Sequence, residues 1–168
     1  VNTHRSELPI QARDGLKKII ESGEVNLDTL LHIEHQCTEA VIEQCKMLID
    51  SSDEKISVIG FHGQTLWHAP HLGSTLQIGF AERLAEATLT PVAHQFRRGD
   101  MARGGQGAPL APLFHASQFS RDTENVAVLN LGGIANLSLL VSGKPIKGWD
   151  LGPANTLSDI WHQMHQDK

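Results

Sequence analysis

Asp100 lies in "RRGDMARGGQG", beside Arg97, Arg98 and Arg103 and just ahead of Gly104, Gly105 and Gly107. A carboxylate in that company has two readings. One is a surface ion pair, worth little to stability. The other is a general base, ionised at neutral pH, with arginines holding it or a nearby anion and glycines letting a substrate approach. His62, Gln64 and Thr65, in "GFHGQT", form a second polar set behind an apolar run. Imidazole, amide and hydroxyl can each donate and accept hydrogen bonds, which suits a sugar and equally suits the backbone of a turn. Gly132, Gly133 and Asn136, in "LNLGGIANLS", are the third. A glycine turn between strands can offer backbone amides to phosphate oxygens, or simply supply positive φ to a hairpin. In "GWDLGPAN", Asp150 suits orienting a water or a metal-bound phosphate, and Asn155 suits either a ligand or a helix cap. Each of these segments ends a strand-like run in glycine and polar residues, where open sheets hold their ligands.

A histidine-dependent metal hydrolase is the competing chemistry. His62, His68 and His71 lack the i, i+4 spacing of a helical zinc pair, and Trp67, Ala69 and Pro70 intervene. No metal site is expected.

These segments need elements to position them. Leu8, Ala12, Leu16 and Ile19 or Ile20 predict one face of a short helix stopped by Gly23. A long helix follows from Asn26, its candidate cap, with Leu27, Leu30, Leu31, Cys37, Val41, Cys45 and Leu48 near one stripe. "KISVIGF", "STLQIG" and "TPVAHQF" read as strands, "FAERLAEATL" as an amphipathic helix, and residues 97–109 as a glycine-rich loop. "LAPLFHASQFS" returns to helix. "NVAVLNLGG" and "NLSLLVSG" predict two antiparallel strands around a tight turn. A strand through "PIKGWDLGPAN" and a last helix from Thr156 complete the order, with Trp149 and Trp161 as core candidates. Alternating helices and strands imply an α/β protein. Polar "SRDTEN" marks a boundary, giving domains 1–121 and 122–168.

The 168 residues carry a formal net charge of -5, and the one basic cluster includes its own aspartate. Nucleic acid is therefore not an expected partner. No run of apolar residues is long enough for a membrane span. Cys37 and Cys45 read as reduced thiols, hence a cytoplasmic protein. The chain opens on Val1 rather than methionine, which suggests a processed chain or a fragment.

Taken in order, "GFHGQTLWHAP", "TLQIG", "FRRGDMARGGQGAPLAPLFH", "LNLGGIANLS" and "GWDLGPANTLSDIW" resemble the signature of the anhydro-N-acetylmuramic acid kinases. That family lies in the sugar kinase, Hsp70 and actin superfamily. The resemblance implies a ribonuclease H-like, two-lobed kinase (actin-like ATPase) architecture. Here it would be present as the end of the first, sugar-binding lobe and the start of the second, nucleotide-binding lobe. It implies ATP and Mg²⁺ as cofactors, with Gly132, Gly133 and Asn136 at the phosphates. Asp100 matches the family's catalytic base, which activates water against C1 of 1,6-anhydro-N-acetylmuramic acid while O6 takes the γ-phosphoryl group. The product is N-acetylmuramic acid 6-phosphate. His62, Gln64, Thr65, Arg97, Asp150 and Asn155 become the expected sugar contacts, Arg97 through an anionic group of the substrate. Family members begin with a phosphate loop of the form G-T-S-x-D-G and end with an adenosine-binding segment, and the chain contains neither. It therefore reads as a central piece, weakly active or inactive alone, and prone to self-association, with a homodimer one form. "GPAN" replaces the family's G-P-G-N, which is tolerable if φ at Ala154 is negative. The alternative is a non-catalytic ligand-binding or interaction module of the same superfamily.

Overall fold

The computed structural model describes residues 2–166 and divides into two units, the first ending at Gly107 and the second starting at Ala108. The first unit begins with helix α1 (Ile10–Ser22) and helix α2 (Leu27–Asp50). Gly23 ends α1 in the left-handed conformation, φ 70°, and its amide returns to the Ile19 carbonyl. Asn26 caps α2 as expected, its side chain accepting from the amides of Asp28 and Thr29. α1 buries Ala12, Leu16 and Ile19, the expected face. The buried face of α2 is rotated from the expected stripe. Ile33, Cys37, Thr38 and Ile42 are buried, while Leu27 and Leu31 are exposed. Thr38 is inside because its hydroxyl is needed there, as shown below.

Strands β1 (Ile59–Phe61) and β4 (Val92–His94) pair in parallel, joined through helix α3 (Ala81–Thr88). Between them run β2 (Gln64–Ala69), a 3-10 turn at Pro70–Leu72 and β3 (Ser74–Ile78), an antiparallel hairpin. β2 was not expected. A register shift between Thr65 and Trp67 breaks its alternation, so its apolar residues do not fall at period two. The core joins Ala12, Leu16, Ile19, Ile33, Cys37, Leu66 and Ile78, packing both long helices on this hairpin.

The junction from β3 to α3 is clamped by α2. Glu34 Oε1 accepts from the Gly79 amide at 2.9 Å, and Thr38 Oγ1 accepts from the Phe80 amide at 3.0 Å. Thr38 also donates to the Glu34 carbonyl at 2.7 Å. α3 has no side-chain cap of its own, so a neighbouring helix supplies partners for amides at its start. Helix α4 (Phe96–Met101) closes the unit where a loop was expected. It is six residues long, includes Gly99, and has no strong local signal.

The second unit contains helix α5 (Ala111–Phe119), strands β5 (Val126–Leu131), β6 (Ile134–Leu140) and β7 (Lys147–Pro153), and helix α6 (Asn155–His165). The three strands form an antiparallel meander, with the expected tight turn between β5 and β6. α5 packs on β6, and His115 Nδ1 lies 2.8 Å from Ser138 Oγ. This packing groups α5 with the strands, so the compact division precedes the polar segment at 120–125. Trp149 and Trp161 are not core residues, being 42% and 67% exposed.

Candidate functional site

In the first unit, Asp100 stands on the last turn of α4, and the following loop folds back around it. The Gly107 amide donates to Asp100 Oδ2 at 2.8 Å. The Gly105 amide donates to the Asp100 carbonyl at 3.0 Å. A Cβ on Gly105 would lie 2.1 Å from Asp100 Oδ2, so only glycine leaves room for this carboxylate. Gly107 has φ +72°, and a Cβ there would meet Met101 Sδ at 2.9 Å. Gly105 thus admits the carboxylate itself.

The arginines differ from expectation. None forms an ion pair with Asp100 among the described residues. Arg103 donates to the Gly99 carbonyl at 2.8 Å. Arg97 Nε donates to His62 Nε2 at 3.0 Å, and Arg97 Nη1 donates to the Gly107 carbonyl at 2.9 Å. His62 Nδ1 lies 2.7 Å from the Gly63 carbonyl. An amide already holds Asp100 Oδ2, and no side chain donates to Oδ1 among the described residues.

Gln64 and Thr65 start β2 rather than lying in a turn. Gln64 is exposed, and Thr65 Oγ1 accepts from Gln77 Nε2 at 3.3 Å. Gln77 was not singled out, although it stands in the quoted "TLQIG". Its amide also donates to Thr75 Oγ1 at 2.7 Å, while its Oε1 is buried with no partner among the described residues. Gln77 lines a cavity of about 40 Å³ with His62, His94, Gln95 and Arg98. A buried acceptor without a partner is an exception that a ligand or a water would resolve. The "Q" between alternating apolar residues was its signal. His68 bonds Thr75 at 3.1 Å. Among the described residues no group of three His, Cys, Asp or Glu is placed to hold a metal ion. No helix among them is long and apolar enough to cross a membrane.

In the second unit, Gly132 and Gly133 form the turn between β5 and β6. Neither has positive φ, so a left-handed turn is not what requires glycine. A Cβ on Gly133 would lie 2.9 Å from Thr156 Oγ1, which makes close approach the reason. The Gly132 and Gly133 carbonyls accept from the Asn155 amide (2.9 Å) and the Ala154 and Thr156 amides (2.9 and 3.2 Å). Thr156 Oγ1 adds a bond to the Gly133 carbonyl at 2.8 Å. The hairpin carbonyls therefore satisfy the start of α6. The Gly132 and Gly133 amides donate to no group among the described residues.

Asn155 does not cap α6. It is the first helical residue, and its side-chain amide donates to the Leu131 carbonyl at 2.9 Å. Ala154 takes φ -128°, the negative value its side chain requires. Asn136 lies opposite Asn130 on β5 and Asp150 on β7, so three polar side chains share one row. Asp150 makes no ion pair among the described residues.

A carboxylate held by a glycine amide, and a glycine hairpin whose amides have no partner among the described residues, are equipment of α/β proteins that handle phosphorylated ligands. The family can be stated more narrowly. The model of the anhydro-N-acetylmuramic acid kinase family matches residues 1–168, and the chain belongs to that family. It is 39% identical over 170 residues to an anhydro-N-acetylmuramic acid kinase of Pasteurella multocida, covering 96% of this chain and 44% of that protein. It is 40% identical to one from Haemophilus influenzae, covering 95% and 43%, and 44% identical to one from Acinetobacter baylyi, covering 91% and 42%. The chain spans less than half the length of these relatives.

Proposed function

We propose that this chain is part of a two-lobed sugar kinase that opens 1,6-anhydro-N-acetylmuramic acid and phosphorylates its O6 in the cytoplasm. The observation that carries the reading is Asp100. One carboxylate oxygen is held by an amide and the other has no donor among the described residues, which is the state a general base needs. In this reading Asp100 takes a proton from the water whose oxygen bonds to C1. The C1–O6 bond breaks, and O6 bonds to the γ-phosphorus as ADP leaves. Gln64 and Thr65 are the sugar-site candidates of the first unit, joined by Gln77, and Asp150 is a candidate in the second.

The donor set of the second unit fits ATP. Two adjacent amides that donate to no group among the described residues, with no room for a Cβ at Gly133, suit phosphate oxygens. Gly132 and Gly133 would hold the phosphates, with Asn136 beside them. Mg²⁺ would neutralise phosphate charge.

The test compares the complete reading frame with the 168-residue chain, each given ATP, Mg²⁺ and 1,6-anhydro-N-acetylmuramic acid. The complete protein should form N-acetylmuramic acid 6-phosphate, and Asp100→Asn should reduce the rate by about 10³-fold or more. The 168-residue chain alone should turn over little. A folded complete protein with no phosphorylated sugar would replace the kinase by a ligand-binding module.

A further inference from the structure

We infer that His62 and Arg97 are positioning residues for Asp100 and not ligands of the sugar. Arg97 Nε–H donates to His62 Nε2 at 3.0 Å, so Nε2 carries no hydrogen. The ring hydrogen is then on Nδ1, which donates to the Gly63 carbonyl at 2.7 Å. Both ring nitrogens are occupied, and the imidazole has nothing left for a hydroxyl group. Arg97 Nη1 continues the chain to the Gly107 carbonyl at 2.9 Å, and the Gly107 amide ends it on Asp100 Oδ2 at 2.8 Å.

The segment needs such a tie. Gly104, Gly105 and Gly107 give it more backbone freedom than any side-chain-bearing sequence would have. Room for the carboxylate requires Gly105, as its missing Cβ demands. The same glycine that makes room also loosens the loop. Arg97 holds Gly107 from α4, and His62 fixes the plane of the guanidinium from the end of β1. Gly63 has φ +70°, and a Cβ there would lie 2.5 Å from the Ile78 carbonyl, so only glycine fits beside β3 at this point. The chain of bonds therefore starts at the Gly63 carbonyl, just ahead of β2, and ends on the carboxylate.

This rests on the reading of Asp100 as the base. The experiment uses the complete reading frame and measures kcat and KM for the anhydrosugar. His62→Ala should lower kcat about 10-fold and Arg97→Ala about 100-fold, each with KM within about twofold. His62→Gln puts an amide acceptor near the place of Nε2 and should recover most of kcat. The His62→Ala/Arg97→Ala pair should be no slower than Arg97→Ala alone, since both act through one chain. A rise in KM of about 10-fold at unchanged kcat, or additive losses, would make them sugar ligands instead. Nitrogen NMR of His62 in the wild-type protein does not depend on how the variants fold. A hydrogen on Nδ1 supports the tie and a hydrogen on Nε2 overturns it. Full activity of Asp100→Asn would remove the base reading alone, and the NMR result would still judge the tie.

Discussion

At the scale of single residues, the site depends on atoms that are missing. Gly105 has no Cβ, and Asp100 fills the space. Gly105→Ala should leave the fold intact, push the carboxylate aside by about 1 Å and cost about 100-fold in kcat, measured on the complete protein. An unchanged rate would mean that the carboxylate position is not critical. Asn155 is read differently once its partners are known. Its side chain is spent on the Leu131 carbonyl, steadying the hairpin between β5 and β6. Asn155→Ala should therefore raise the KM for ATP severalfold and leave that of the sugar alone. The opposite split would return Asn155 to the sugar site.

Among elements, the contact of α2 with the start of α3 dominates the first unit. Thr38 is 1% exposed and serves two backbone groups. Thr38→Val keeps the shape and strands the Phe80 amide away from water, at a cost of about 1–3 kcal/mol in a urea titration. A change within experimental error would show that water replaces the hydroxyl. The same two helices share an exposed ion pair between Glu39 and Arg83. The Arg83 hydrogen bond holds the Glu39 carboxyl below its ordinary value of 4.5, outweighing the upward push of desolvation. A carboxyl lowered in the folded state adds stability above the unfolded value and loses it as pH falls through the folded one. Glu39→Gln should therefore shallow the loss of stability below pH 4.5 and leave the alkaline side unchanged. Identical acid melts would mean that solvent screens the pair completely.

Over the whole molecule, apolar surface is left open. Leu157, Ile160, Trp161 and Met164 make an exposed stripe along α6, with Leu157 60% and Met164 71% exposed. Leu129, Leu131, Ile134 and Leu151 are exposed on the strands of the same unit. Free patches of this kind favour association. The 168-residue chain should sediment as dimers or larger species at micromolar concentration, and Leu157→Glu with Trp161→Glu should shift it toward monomer. A monomeric wild-type chain would rule out association through this face.

Some of this was legible in residue order. α1 and its Gly23 stop, the Asn26 cap, and the β5–β6 hairpin follow from local rules: periodicity, a side chain reaching two residues ahead, a glycine between alternating strands. Asp100 and the glycines after it could be recognised as belonging together. Their roles could not. The sequence places three arginines near Asp100, yet folding turns Arg97 toward His62, thirty-five positions away, and gives the carboxylate an amide instead. β2 was hidden because a bulge cancels its alternation, and α4 because six residues with an internal glycine carry too little propensity. Gly132 and Gly133 looked like turn glycines. The reason at Gly133 is Thr156, brought against the hairpin by a strand and a helix that come later in the chain. Local conformational preference was written in the sequence, because it depends on neighbours a few residues apart. Which donor meets which acceptor was decided by the tertiary structure, because those partners meet only after the elements have packed.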